Sequence, residues 1–227
     1  MIRNDDGTIP NDNPFIGKKG YNPEIFTLGH RNTLALIVHP TTGEIWNKHP
    51  EKSFGLRAAW VDKNPKAALA VLQAVLEAAQ WCDKIENAKE LSEIVGKRQW
   101  FNCPPADIIN RIEGKVNYGD GRKVDNRDLS MKFWRDHASY PFQSHDLWFL
   151  TENQRWGMMA PDLDAKAVIA KVNREDLWRE AAKAIGVAPA DMPAAPSRGK
   201  ETFFDGKVFD PADPAAYLAS LQIKKVA

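Results

Sequence analysis

"NPKAALAVLQAVLEAAQWC", Asn64 to Cys82, carries the clearest helical pattern in the chain. Asn64 is a capping residue type, and Pro65 suits a first turn, where no intrahelical N–H is required. Ala68, Val71, Leu72, Val75, Leu76 and Ala79 then recur at three-and-four spacing, which predicts one helix with these six residues on a single buried face. Downstream, "NAKELSEIVGK" reads as a second helix ending near Gly96 and "PPADIINRI" as a third. "GKVNYGDGRKV" is a hairpin or turn around Gly119-Asp120-Gly121, and "SHDLWFLTENQRWGMM" is an aromatic helix. Two more helices follow, from Ala165 to Val172 and from Arg174 to Ile185. The Pro- and Ala-rich "GVAPADMPAAPSRGK" predicts an extended surface connection. The tail predicts an Asp205-Gly206 turn between two aromatic strand pieces and a last helix from about Pro214.

Upstream of Asn64 the texture differs. Residues 1 to 22 are rich in Asn, Asp, Gly and Pro and predict loops. "EIFTLGH" and "TLALIVH" are short β-prone runs, and Pro40-Thr41-Thr42-Gly43 is turn chemistry before "EIW", so a β-hairpin is expected here. Neither a repeat at solenoid periods nor a large open sheet is evident. The fold class is mixed α and β, helix-rich, with an N-terminal β-hairpin segment.

Composition narrows the function. The chain has 227 residues, 43% of them hydrophobic, enough for a packed core. With 31 Lys and Arg against 30 Asp and Glu, the net charge of +1 supplies no global field for nucleic acid or an anionic membrane. Any anion site must be local. The opening stretch lacks the apolar core of a secretory signal, and no run approaches a membrane span. The sequence as it reads is therefore expected in the cytoplasm. Cys82 and Cys103 lack zinc-site spacing and are expected to be reduced and buried, with a single bridge as the alternative.

Two constellations carry chemistry. In the first, His30-Arg31-Asn32 follows Gly29 on a predicted turn, where a guanidinium and an amide side by side can bind a carboxylate- or quinone-bearing group. Together with "DDGTIPNDNPF" and "HPTTGEIW", the segment 1–46 resembles the soluble pyrroloquinoline-quinone-dependent aldose sugar dehydrogenases, which are six-bladed propellers. That resemblance implies cofactor contacts for Arg31 and Asn32. Nothing after Trp46 resembles the blades that hold the family's catalytic histidine and calcium ligands, and one blade cannot close such a ring. No catalytic residue, no bound cofactor and no oxidoreductase activity are expected.

The second constellation runs through "TTGEIWNKHPEKSFGLRAAWVDKNPKAA", "QWFNCPPADII", "NYGDGRKV", "DHASYPFQSHDLWFLTENQRWG", "VNREDLWREAAKAIGV" and "SRGKETFFDGKVFDP". From about Thr41 onward the chain resembles the C-terminal part of nitrate-type ABC-transporter substrate-binding proteins, a group that includes bicarbonate binders. The resemblance implies part of a type II periplasmic-binding fold, two lobes that close on a small oxyanion, and delivery to a membrane permease. It implies a periplasmic or membrane-associated setting for the family. A desolvated anion needs charge-assisted hydrogen bonds to replace its water. Lys52 of "HPEK" is the candidate anion contact, with Lys48 and His49 as neighbours able to serve instead. A lysine there favours nitrate or nitrite, whereas a carboxylate would suit protonated bicarbonate. The chain is thus expected to divide into 1–46 and 47–227, with the change of identity inside Thr41–Trp46, as a fusion of two ancestries. Helices made to pack on an absent lobe are expected to expose apolar faces.

The remaining conspicuous residues read as structure. Trp148, Phe149 and Trp156 suit core or lobe packing more than ligand stacking. His137 and His145 read as surface or capping residues, Arg174-Glu175-Asp176 as capping and i,i+4 charge support, and Asp120 and Asp125 as turn residues. No metal site and no P-loop is expected.

Overall fold

In the computed structural model, which describes residues 8–9, 11, 16–19, 37–38, 45–46, 53–117, 121–203 and 206–221, the chain forms two units, Met1–Lys52 and Ser53–Ala227. In the first, β1 (Ile37–Val38) pairs antiparallel with β2 (Ile45–Trp46), placing Ile37 opposite Trp46 and Val38 opposite Ile45. This is the hairpin expected before "EIW"; the "EIFTLGH" run lies outside the described residues.

The second unit is built on helices. A short α1 (Ala58–Lys63) leads into α2 (Pro65–Cys82) through Asn64. Asn64 stands at the N-cap position of α2, but its side chain does not cap that helix. The amide Nδ2 donates back to the Trp60 carbonyl at 3.0 Å and so closes α1 instead. The buried face of α2 is also narrower than its periodicity suggests. Ala68 and Leu76 are buried, and Leu69 and Leu72 pack beside Leu76, whereas Val71 and Val75 are exposed. At 100° per residue the arc centred on Leu69, Leu72 and Leu76 meets α7 (Glu175–Ala184), and Val71 and Val75 fall on its flank.

Ala181 and Ala182 of α7, both fully buried, allow close approach to α2, and Trp178 fills the space beside them. Tyr140 and Phe142 complete this core, with the Tyr140 and Trp178 rings edge to face at 4.9 Å and Trp134 stacked on Trp178 at 5.8 Å. A second core forms where α5 (Gln143–Arg155), α6 (Ala165–Val172) and α8 (Pro214–Ser220) meet β6 (Val208–Phe209): Leu147, Ile169, Phe209 and Tyr217 are buried together. Trp148 packs against this core, so it is a packing residue as expected, while Trp156 at the helix end is exposed with the Arg155 guanidinium over its ring.

The remaining elements are α3 (Ala88–Val95), which ends at Gly96, and α4 (Pro105–Glu113). A hairpin follows, of β3 (Lys115–Asn117) with β4 (Lys123–Asp125). Gly114 ends α4 in the left-handed conformation at φ 79°, and a Cβ there would meet the Asn126 carbonyl oxygen at 2.3 Å, so glycine is required on both counts. Near the C-terminus β5 (Glu201–Thr202) pairs with β6, as the aromatic strand pieces implied. Cys82 and Cys103 are free thiols, half-buried where full burial was expected. Burial, then the neighbouring Asp83, pushes the Cys82 thiol up.

Asp83, just past α2, fixes the loop that supplies Trp134. Its Oδ2 accepts the backbone N–H groups of Phe133, Trp134 and Arg135 at 3.1, 2.5 and 2.7 Å, and its Oδ1 accepts from the Arg135 guanidinium at 2.8 Å. Arg135 in turn donates to the Arg127 carbonyl at 2.9 Å and to Ser130 Oγ at 2.7 Å. The Asp83 side chain is only 9% exposed, so Asp83→Ala leaves three N–H groups and a partly buried guanidinium without their acceptor. The expected loss is about 3 kcal/mol of unfolding free energy in urea titration, and a variant as stable as the parent would contradict the role given to this contact.

Candidate functional site

The five residues singled out from sequence, Arg31, Asn32, Lys48, His49 and Lys52, lie outside the described residues. What the structure supplies is the ground immediately beyond them. Ser53 to Arg57 are exposed, with Phe54 and Leu56 presenting apolar side chains, and they lead directly into α1.

Among the described residues of the second unit, two hollows carry charged side chains in their lining. One is an open hollow of ≈ 480 Å³ lined by Asp136, His137, Phe142, Pro193, Ser197 and Arg198 among others. Asp136 and His137 both adopt positive φ, 56° and 58°, directly after the Asp83 contact has turned the chain. The Arg198 guanidinium lies over the Phe142 ring at 5.5 Å and approaches Glu201 at 3.6 Å. Glu201 Oε1 also meets His145 Nε2 at 3.1 Å. His145 is therefore a half-buried paired residue and not simply a surface or capping one. The hydrogen bond from His145, with lesser help from His145 and Arg198 charge, holds the Glu201 carboxyl below the usual range against the opposing effect of burial. Asp136 is likewise held low by Lys132.

The wall of this hollow is the Pro- and Ala-rich segment, and it is pinned where a plain surface connection was expected. Gln143 N–H donates to the Pro196 carbonyl at 2.8 Å, Arg198 N–H donates to Ser144 Oγ at 3.1 Å, and Arg179 donates to the Pro193 carbonyl at 2.9 Å. The second hollow, of ≈ 380 Å³, lies along the β3–β4 hairpin and is lined by Asn110, Lys115, Lys123 and Asp125 among others. Lys115 is 2.6 Å from Glu113. Arg198 and Lys115, the lining arginine of the first hollow and one lining lysine of the second, each already face a carboxylate, which weakens them as donors to a small anion.

Other residues take the structural roles their chemistry suggested. Arg174 grips Asp176 through two hydrogen bonds of 2.8 and 2.7 Å, and Glu175 pairs with Arg179 one turn on. Tyr217 donates to Glu152 at 2.8 Å and accepts from Trp148 at 3.3 Å, and burial pushes its phenol well up. Asp120 lies outside the described residues. Among the described residues, no group of three or more His, Cys, Asp or Glu is arranged to hold a metal ion, and no helix is long and apolar enough to cross a membrane.

A helix-rich unit with few strands is consistent with part of a periplasmic binding-protein fold. Residues 33–96 match the model of the NMT1-like family, and residues 1–52 match that of Glucose / Sorbosone dehydrogenase. The nitrate/nitrite binding protein NrtA of Synechocystis sp. is 56% identical over 187 residues, which are 82% of this chain and 42% of that protein. The bicarbonate-binding protein CmpA of Synechococcus elongatus is 46% identical over 192 residues, 81% of this chain and 43% of that protein. The crystal structure of the periplasmic nitrate-binding protein NrtA from Synechocystis matches with a TM-score of 0.75 at 56% identity, covering 78% of this chain and 46% of that one. The chain spans less than half the length of these relatives, and what it matches is their C-terminal part. The resemblance drawn from about Thr41 onward and the partial binding-protein fold both hold.

The Glu201–His145 contact gives a pH signature. Glu201 titrates lower folded than unfolded, so the contact's contribution is complete above the unfolded carboxylate range, about pH 4.3, and is lost as pH falls through the folded value. Thermal melts of the parent and Glu201→Gln should differ near neutral pH and converge in strong acid. A difference that persists unchanged to about pH 2 would contradict the assignment.

Proposed function

We propose that this chain supplies the C-terminal wall of a solute-binding component of an ABC transporter for nitrate, nitrite or a related small oxyanion, and that Lys52 contacts the anion. The observation that carries the reading is identity of 56% across 82% of the chain to a nitrate/nitrite binding protein, ten points above that to the bicarbonate binder. Lys52 adds a chemical reason, since an ammonium suits a fully ionised oxyanion. Its neighbours Lys48 and His49 are the weaker contacts. A permease is the partner such a protein delivers to.

The segment 1–46 is read as a piece of separate ancestry joined to 47–227. The two family matches overlap in residues 33–52, a range that contains the junction at Thr41–Trp46. On this reading the chain is not an enzyme: Arg31 and Asn32 keep a cofactor motif apart from the blades that would use it.

Isothermal titration of the chain with nitrate should give saturable heat, and Lys52→Met should weaken it about 10- to 100-fold, the loss of one charge-assisted hydrogen bond. Removal of residues 1–46 should leave that heat unchanged, and the chain supplied with pyrroloquinoline quinone and glucose should leave a redox dye unreduced. No heat up to millimolar nitrate would sink the binding reading, and dye reduction would restore the oxidoreductase.

A further inference from the structure

Between α3 and α4 the chain turns through "GKRQWFNCP", Gly96 to Pro104, and the two aromatic side chains of this turn stand in solvent. Trp100 is 65% exposed and Phe101 63%, the most exposed aromatic residues among the described ones. A slack loop could expose such residues by default, but this one is tied across its base. Phe101 N–H donates to the Val95 carbonyl at 3.0 Å, Asn102 N–H to the Lys97 carbonyl at 3.1 Å and Cys103 N–H to the Gly96 carbonyl at 3.1 Å. Trp100 N–H closes the tip on the Lys97 carbonyl at 2.9 Å. Asn102 takes a left-handed φ of 49°, and a Cβ on Gly96 would meet the Cys103 carbonyl oxygen at 2.7 Å, so the returning chain closes only over a glycine. Backbone geometry thus holds both rings outward, and little ordering entropy is left to lose on contact.

Charge decides what they meet. Lys97 and Arg98 adjoin the aromatics, both exposed, and neither meets a carboxylate among the described residues. No acidic residue occurs between Glu93 and Asp107. A purely apolar partner would take both cations out of water without a counter-charge. The boundary between lipid headgroups and acyl chains suits both kinds of side chain at once, since rings reach the apolar layer while cations stay among phosphates. We propose that this turn is a contact for an anionic lipid bilayer, with Trp100 and Phe101 in the boundary layer and Lys97 and Arg98 on lipid phosphates. The net charge of the chain is only +1, so the attraction is local and the contact peripheral. The anion site proposed above takes no part in it.

The full chain, without nitrate, should co-sediment with vesicles of equal parts phosphatidylglycerol and phosphatidylcholine and stay in solution with phosphatidylcholine alone. Raising salt from about 0.05 M to about 0.5 M should release it, as screening of a surface contact requires. Trp100→Ser with Phe101→Ser should weaken binding about tenfold or more, through loss of two buried rings. Lys97→Gln with Arg98→Gln should weaken it about tenfold as well and flatten the salt dependence. Trp100→Phe should bind as the parent does but lose the quenching of tryptophan fluorescence by lipids brominated near the headgroup. Both double variants should melt within about 2 °C of the parent, as surface substitutions do. The proposal is overturned by a parent chain that ignores anionic vesicles, by binding that survives loss of both aromatics, or by equal quenching of the parent and Trp100→Phe. An aromatic double variant that melts far lower overturns it too, since the rings would then be packing residues. A dimer of the parent that this double variant dissolves overturns it in favour of a second copy. Vesicle binding and nitrate heat are separate readouts, so either reading can fail while the other stands.

Discussion

A carboxylate just past the C-terminal end of a helix faces the negative end of the helix dipole, and Asp83 holds that position by gathering compensation from across the chain. Three backbone N–H groups and the Arg135 guanidinium converge on it from residues about fifty positions later. The consequence reaches well past the contact. With residues 133–135 fixed to the end of α2, Trp134 is set against Trp178 of α7, and Tyr140 and Phe142 enter the same core. The exit from this loop passes through Asp136 and His137 in the left-handed region, strain that the surrounding contacts must hold in place.

Tyr140 links the core between α2 and α7 to the pinned connection. Its hydroxyl meets both Glu175 and Arg179, and Arg179 also holds the Pro193 carbonyl. Several charges of the second unit meet one another in this way: Arg135 and Asp83, Arg179 and Glu175, Arg198 and His145 with Glu201, Lys200 and Asp210. On the proposed reading the anion contact is Lys52, just before the second unit begins, chosen by the chemistry of "HPEK".

Much of the fold was legible because it is local. The helix over Ala165–Val172 has the limits its pattern implied, Gly96 ends α3, and the Asp205-Gly206 dipeptide lies between paired strands. What was not legible is what local pattern does not encode. Periodicity identified a broad apolar arc on α2 but not which part of it α7 covers, so Val71 and Val75 were assigned inward. Asp83 and Arg135 carry no mark of each other at 52 residues' separation, and the pinning of the Pro-rich segment uses main-chain groups that any sequence possesses. Lys52 is proposed on its motif alone, as periodicity and composition say nothing of a single lysine.

On the proposed function, an oxyanion is met at Lys52, just before the second unit begins. The most direct measurement is nitrate titration of the ¹⁵N-labelled full chain, followed amide by amide. Saturable shifts concentrated from His49 to Gly55, with the β3–β4 hairpin and the hollow beside Arg198 unmoved, are the predicted result. Shifts centred on Asp136, His137 and Arg198, or no saturable shift at all, would contradict it.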